Sequence, residues 1–331
     1  MITRRHLLLL LALCGIALAS ILISLASGSV PISASDLLSL LGKPHEGLEQ
    51  QVVLELRMPR TFAAFITGAL LALSGVVMQV LLRNPLADPY ILGISGGASV
   101  AALSAILLGL GSVAIANSAF AGAILSITIV FGLSGRSNTS SSIRLLLTGV
   151  VVSAGWGALI NILLTTSANN SVYSMLFWLM GDLSQSKPSA LSATVLIVGL
   201  LILLSCARSL NMLNHGERHA ASLGVNVGSL RMTLFGAASL MTACAVTLAG
   251  AIGFVGLIVP HMLRLIGARD HRILIPSSAL LGGSFLVLAD SVARTVIAPI
   301  QLPVGVITAL IGVPAFLIIL RSNAALSARR S

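Results

Sequence analysis

The sequence predicts an all-α polytopic membrane protein of about ten transmembrane helices, with its N-terminus and C-terminus both cytoplasmic. Three observations predict this. Of the 331 residues, 56% are hydrophobic and only 8% are charged, with a mean hydropathy of +1.05. Soluble domains carry about 25% charged residues, so this chain cannot build a water-soluble surface. The apolar residues also gather into runs of about 20, the length that crosses the hydrocarbon core of a bilayer. Finally, the basic residues fall unequally into the breaks between those runs.

The first run, 7–26, follows Arg4-Arg5-His6 and is longer than the 7–15 apolar residues of a signal peptide. It reads as a retained first transmembrane helix, 7–27. The later runs are about 61–82, 91–110, 113–133, 145–166, 189–207, 230–250, 252–267, 273–293 and 303–320. Almost nothing polar separates 230–250 from 252–267. The whole chain, 1–331, reads as a single transmembrane domain, with a cytoplasmic loop over 210–228.

Orientation follows from counting charges. With the N-terminus inside, the inner segments hold Arg4, Arg5, Arg83, Arg136, Arg144, Arg208, Arg218, Arg231, Arg264, Arg269, Arg272, Arg321, Arg329 and Arg330. The outer segments hold Lys43, Arg57, Arg60, Lys187 and Arg294. The net charge of +10 therefore records topology; the charges form no basic stripe, and no nucleic-acid partner is expected. A faint internal repeat relates Leu73-Ser74-Gly75 to Leu248-Ala249-Gly250, and Pro85 to Pro260, as inverted repeats do in transporters.

The chemistry-bearing patterns are sparse. Gly93-Ile94-Ser95-Gly96-Gly97 satisfies a serine-nucleophile pattern, which keeps an intramembrane serine hydrolase among the alternatives. A small-residue helix start that lets backbones approach explains the same residues. His261 lies beside Pro260 without an evident orienting group, and no catalytic residue is assigned. Cys14, Cys206 and Cys244 are far apart, and the histidines lack zinc spacing, so no metal site and no bound cofactor are expected. Neither lysine stands in a Walker A context. Any ATP and Mg must be used by a partner ATPase subunit, and the chain itself is not an enzyme. A stand-alone secondary transporter would need ionisable groups near the midplane. Asp290 and Arg294 are the candidates, and their i,i+4 spacing allows them to pair. Gln79, Asn117 and Asn161 either line a path or bridge helices.

Four polar breaks call for explanation. Arg57-Met58-Pro59-Arg60 precedes the second run. Asn84-Pro85-Leu86-Ala87-Asp88-Pro89 follows it, and its two prolines forbid a continuous helix. Residues 216–224 read as a short helix that closes on Gly224 and is too short to stand alone, which suits docking onto a partner. Pro260-His261-Met262-Leu263-Arg264 kinks or starts a span.

Together with Gly250-Ala251-Ile252-Gly253-Phe254-Val255-Gly256-Leu257-Ile258-Val259-Pro260-His261, Ala289-Asp290 to Ala293-Arg294, and Leu302-Pro303-Val304-Gly305, these breaks resemble the FecCD family. Its members are permease subunits of type II ABC importers for iron–siderophores, haem and cobalamin. The resemblance runs from about Arg57 to Leu320. It implies a homodimer in the cytoplasmic (inner) membrane, in contact with membrane lipid, with two cytoplasmic ABC ATPase subunits and a periplasmic or lipoprotein substrate-binding protein. It further implies ATPase coupling through Gly216, Glu217, Ala220, Leu223 and Gly224. Binding-protein docking falls to Arg57, Arg60 and Arg294 on an exposed outer rim. A cytoplasmic gate falls to Asn84, Leu86, Ser142 and Ile143, with Ile143 standing where the family carries a hydroxyl residue. The fifth and tenth spans would line the pathway for a metal chelate, moved inward by alternating access.

Overall fold

The computed structural model describes residues 4–28, 48–134 and 142–328, which form helices and connecting turns with no strand among them. Helix α1 is Arg4–Ala26. A turn Leu48–Gln51 and a π-helical segment Val52–Arg57 lead into α2, Met58–Leu81. A short 3-10 turn, Pro89–Leu92, precedes α3, Ile94–Leu107; α4 is Ser112–Ser134, α5 Ser142–Thr166 and α6 Asn169–Leu179. There follow α7 Ala190–Ser205, α8 Ala207–Leu213, α9 Glu217–Ser222, α10 Val227–Ala249, α11 Val255–Leu265, α12 His271–Thr295 and α13 Val304–Ala328.

Among the described residues, six helices are long and apolar enough to cross a bilayer: α1, the stretch Val52–Leu81, α4, α5, α10 and α12. Helices α7 and α8 join at a 57° bend into one broken span, while α3, α11 and Val304–Ile318 are shorter apolar helices. Each of the ten apolar runs thus contains one of these units. Two elements escape a reading by hydropathy. Helix α6 interleaves Asn169, Asn170, Ser171 and Ser174 with apolar residues, and at 11 residues it is about 16 Å long, half a bilayer core. Helix α8 lies almost wholly beyond the run 189–207 and reaches into the loop expected over 210–228, so the helical turn after the bend is the part that hydropathy missed.

Local chemistry sets the ends. Pro59 sits in the first turn of α2, where its missing N–H costs nothing. The other end of α2 closes with Asn84 N donating to Gln79 O and Arg83 N to Val80 O, while Arg83 takes φ +48°. This is a Schellman closure with arginine in the position usually held by glycine. Helix α9 closes the same way on Gly224, at φ +84°.

Helix α2 is the centre of the molecule. Its most apolar window is 89% buried, against 11% for α5 and 22% for α1, and α12, α10 and α11 pack around it. Lipid supplies no hydrophobic drive between helices, so the packing depends on close backbone approach at small residues. Gly68 lies on the backbone of Gly282, and Gly75 on the backbone of Gly256. The proposed internal repeat does not survive this arrangement. Gly75 lies inside continuous α2, whereas Gly250 ends α10 at φ +68°; Pro85 lies in a turn, whereas Pro260 lies inside α11.

A methyl group separates the two kinds of glycine. Gly75→Ala puts a Cβ into the Gly256 backbone and is expected to cost about 1–3 kcal/mol or more. Gly15 has nothing within 4 Å of an added Cβ, so Gly15→Ala is expected to be neutral or slightly stabilising. Unfolding of the two variants in mixed micelles checks the difference.

Candidate functional site

Three places gather the residues singled out above. The first is a junction of broken helices. Helix α10 ends at Ala249 and α11 begins only at Val255, with Phe254 left-handed at φ +71°. Because Gly75 of α2 packs on Gly256, the start of α11 lies well inside the bundle. Non-helical backbone there must find partners within the protein. Ile252 N donates to the Tyr90 hydroxyl at 3.1 Å, Asp182 N to Ala249 O at 3.0 Å, and Ser186 Oγ to Leu248 O at 2.5 Å. The chain after α6 and the start of α13 meet at the same place, where Val304 N donates to Gly181 O at 3.0 Å and Gly305 N to Met180 O at 3.1 Å. Gly181, Gly250 and Gly305 leave room for these strands of backbone to cross.

Beside this junction lies a cavity of about 620 Å³, lined by Leu179, Met180, Ala251 and the face of α13 that carries Gly305, Val306, Ala309, Leu310, Val313 and Pro314. The lining holds no charged residue. Further along α11, Pro260 has no N–H to give the carbonyl of Gly256. Gln79 replaces it, its Nε2 donating to Gly256 O at 3.1 Å and to Leu257 O at 3.0 Å. The Gln79 Oε1 in turn accepts from Arg264 Nη1. Gln79 therefore bridges helices. His261 is buried beside this group, and among the described residues neither ring nitrogen has a hydrogen-bond partner.

The second place is the loop between α8 and α10 with the turn after α2. Ala220 is the fully buried residue of α9, while Leu223, just past its end, stands 56% exposed. Glu217 pairs with Arg83 at 3.3 Å and with Arg231 at 3.4 Å. One carboxylate thus joins α9 to the turn that carries Asn84 and Leu86, and to α10. Asn84 Oδ1 accepts from Leu86 N at 2.9 Å, so this side chain shapes its own turn. Ser142 and Ile143 begin α5, but their side chains lie outside the described residues.

In the same turn Asp88 Oδ1 accepts from Tyr90 N at 2.8 Å and starts the 3-10 helix. Burial pushes the Asp88 carboxyl up to about 6, against that hydrogen bond, which favours the charged form. Burial and the Asp88 charge both raise the Tyr90 phenol. At the start of α12, burial opposes ionisation of Asp270. Hydrogen bonds from Asn211 and the Arg272 N–H, with the charges of Arg272 and His271, outweigh it and hold the carboxyl below its usual range.

The third place corrects an expectation. Arg57, Arg60 and Arg294 do come together, but not as an exposed rim. The side chains of Arg60, Arg294 and Asp290 are 11%, 8% and 1% exposed. Arg60 grips Asp290 through Nε and Nη2 at 2.8–3.1 Å, and Arg294 Nε lies 3.1 Å from Asp290 Oδ2. Arg57 Nη1 donates to Leu25 O at 2.8 Å and Ala26 O at 3.2 Å, capping α1, and Arg294 Nη2 donates to Ser24 Oγ at 2.9 Å. The reason is electrostatic: a carboxylate this deep requires charged partners, and the last carbonyls of α1 require donors. The cluster ties the end of α1, the start of α2 and the end of α12 into one knot. Arg60 Nη1 reaches outward to Gln301 Oε1 at 2.7 Å.

Ser95 belongs to none of these. Gly93 is left-handed at φ +72° and opens α3. Gly96 faces Trp156 and Gly97 the backbone of Gly122. Among the described residues no hydrogen bond joins the Ser95 hydroxyl to a histidine, and the small residues serve packing. The nearby polar chain instead runs from Trp156 Nε1 to Ser126 Oγ at 2.9 Å and on to Gly93 O at 2.8 Å, which also accepts the first helical bond from Gly97 N at 3.1 Å. Among the described residues no group of three or more histidine, cysteine, aspartate or glutamate side chains could hold a metal ion.

Comparison with known proteins places this geometry. The profile of the FecCD transport family matches residues 16–322. The cobalamin import system permease protein BtuC of Halobacterium salinarum is 44% identical over 277 residues, covering 83% of this chain and 74% of that protein. The vitamin B12 import system permease protein BtuC of Salmonella typhimurium is 39% identical over 325 residues, 97% of each chain. A solved structure described as an inward-facing conformation of a metal-chelate type ABC transporter superposes with a TM-score of 0.83 at 33% identity, covering 95% of this chain and 98% of that one.

Two outcomes test the electrostatics. Asp290→Ala leaves Arg60 and Arg294 buried without their carboxylate and is expected to cost about 3–5 kcal/mol of stability. Removing Arg294 as well should recover part of it, measured by unfolding in mixed micelles. Asp88 has a folded pKa above its unfolded value, so the folded chain holds the proton more tightly. Stability is therefore expected to fall as pH rises from about 4 through about 6 and then to level off. Asp88→Asn keeps the acceptor for Tyr90 N and should flatten that slope in a series of thermal midpoints.

Proposed function

The chain belongs to the FecCD transport family, and from that premise we propose that it is the permease subunit of an ATP-driven importer carrying a cobalamin or a related metal chelate inward. As a multi-pass membrane protein and transport permease, it is not itself an enzyme. The observation that carries the reading is the broken-helix junction with its charge-free cavity of about 620 Å³. Discontinuous helices of this kind mark the substrate path in transporters. A large chelate passing such a wall meets no group that would hold it. The relatives named for cobalamin and vitamin B12 import favour a corrinoid over an iron–siderophore or haem.

Two copies of the chain form the working unit in this reading. Helix α5 leaves Leu147, Val150, Val151 and Ile162 more than half exposed, and α13 does the same with Leu310 and Ile318. The cavity opens on the latter face. A second copy meeting these faces would enclose the path between the fifth and tenth spans.

Energy enters from below, with both termini cytoplasmic as the charge count predicts. Each α9 docks on an ATPase subunit through the exposed Leu223, while Gly216 and Gly224 give the turns on either side, at φ +113° and +84°. ATP-driven closure of the ATPases moves α9. Glu217, bonded to Arg83 and Arg231, passes the movement to the turn of Asn84 and Leu86, the inner gate, with Ser142 and Ile143 as its other side. From above, a substrate-binding protein docks over Arg57, Arg60 and Arg294. Its acidic residues compete with Asp290 for Arg60, the arginine that already reaches outward to Gln301.

The test is transport by the reconstituted permease, ATPase and binding protein in vesicles, fed with labelled cyanocobalamin or a ferric hydroxamate. Wild type is expected to accumulate the corrinoid in an ATP-dependent way. Leu223→Asp should lower both uptake and binding-protein-stimulated ATP hydrolysis at least tenfold while leaving the purified chain folded. Uptake driven by an ion gradient without ATP would overturn the importer reading.

A further inference from the structure

We propose that the pocket between α8, α9 and the start of α12 binds a phosphate-class anion, supplied either by the headgroup of an anionic phospholipid or as free phosphate. The proposal rests on the reading above only for putting this pocket on the inner side of the membrane. The cavity has a volume of about 260 Å³ and is lined by Arg208, Asn211, Met212, His215, His219 and Arg272. Two guanidiniums and two imidazoles therefore share one small space. The rings of His215 and His219 stand 6.0 Å apart, edge to face.

Neither Arg208 nor Arg272 forms a salt bridge among the described residues; the carboxylates that do pair are Asp290 and Glu217. The neighbouring carboxylate, Asp270, has its Oδ1 occupied by Asn211 Nδ2 at 2.7 Å and by the Arg272 N–H at 2.9 Å. Asn211 Oδ1 also accepts from the His271 N–H at 3.0 Å and from His271 Nδ1 at 2.6 Å. These bonds join α8 to the start of α12 and so set the spacing of the two helices that carry Arg208 and Arg272, whose side chains are exposed at the pocket mouth. Arginine donates in a planar fork that matches phosphate oxygens.

Position favours a phosphate over an acidic protein side chain. Arg208 is three residues past Ser205, the last residue of the apolar helix α7, and Arg272 opens the apolar helix α12. Both guanidiniums thus leave the chain where apolar spans meet the interface, the depth of lipid headgroups. Basic pockets between transmembrane helices on the cytoplasmic side are sites for anionic headgroups. Because His219 lies on α9, an occupied pocket would tether that helix to the membrane boundary and set its resting angle.

The experiment uses the full chain, purified and delipidated in neutral detergent. It is titrated separately with short-chain phosphatidylglycerol, short-chain phosphatidylcholine and inorganic phosphate, with bound adducts counted by native mass spectrometry and thermal midpoints read in parallel. The expected result is saturable binding of phosphatidylglycerol or phosphate, but not phosphatidylcholine, weakened at least tenfold in R208Q/R272Q and unchanged in R269Q, whose arginine does not line the pocket. Phosphatidylglycerol binding that inorganic phosphate does not displace identifies the lipid as the source; displacement at equal affinity identifies free phosphate. Equal binding by wild type and R208Q/R272Q, or binding by neither anion, overturns the proposal. So does the absence of anion binding together with loss of ATPase association in R208Q/R272Q, which would assign the pocket to an acidic surface of the partner. Saturable binding by a chain that never assembles with an ATPase would leave this inference standing and defeat the importer reading.

Discussion

Close backbone contact along α2 is the constraint on which the rest of the structure depends. Gly68 and Gly75 let α12 and α11 approach until main chain touches main chain. Inside a bilayer this approach replaces the hydrophobic drive that holds soluble cores together. It also explains why α11 is seated so deep. Once Gly256 is pressed on Gly75, the chain must break after Ala249, and the break falls within the bundle instead of at its surface.

A break at that depth creates polar groups that water cannot reach, and their satisfaction organises the site. Tyr90, Ser186 and the backbone of Asp182 serve the segment between α10 and α11. Gln79 serves the carbonyl left free by Pro260. Each partner comes from a different part of the chain, so the junction forms only when the turn after α2, the chain after α6 and the start of α13 have all arrived. The apolar cavity beside it is the space these crossing segments leave. Its wall is packed backbone and mostly small or apolar side chains.

Charge is handled by the same economy. Asp290 at one end and Glu217 at the other each meet two arginines, and they differ in exposure. The Asp290 knot is buried and holds three helix ends together. The Glu217 pairs are screened by solvent and individually weak. The arginines at Asp290 are therefore fold residues first, and any partner that binds them must contend with the bonds they already make.

By itself, the sequence determined the class of the protein, the ten apolar runs and the family, because these are set by composition, by spacing and by short motifs that each lie within a few residues. Asn84-Pro85 and Gly216 to Gly224 were readable as turns and a short helix for the same reason: proline, asparagine and glycine act on their own backbone. Only the tertiary structure decided that Arg57, Arg60 and Arg294 are sunk around Asp290, that Gln79 covers Gly256, and that Gly75 and Gly256 touch. It alone decided which face of α13 lines the cavity. Helix α6 was hidden because its polar residues lowered the hydropathy of a segment that the bundle nevertheless folds. The repeat between Gly75 and Gly250 was misread because a glycine looks the same in sequence whether it admits a neighbour or ends a helix. These are pairings between segments as much as 270 residues apart, chosen by packing and by the need to satisfy buried polar groups, and no local pattern encodes them.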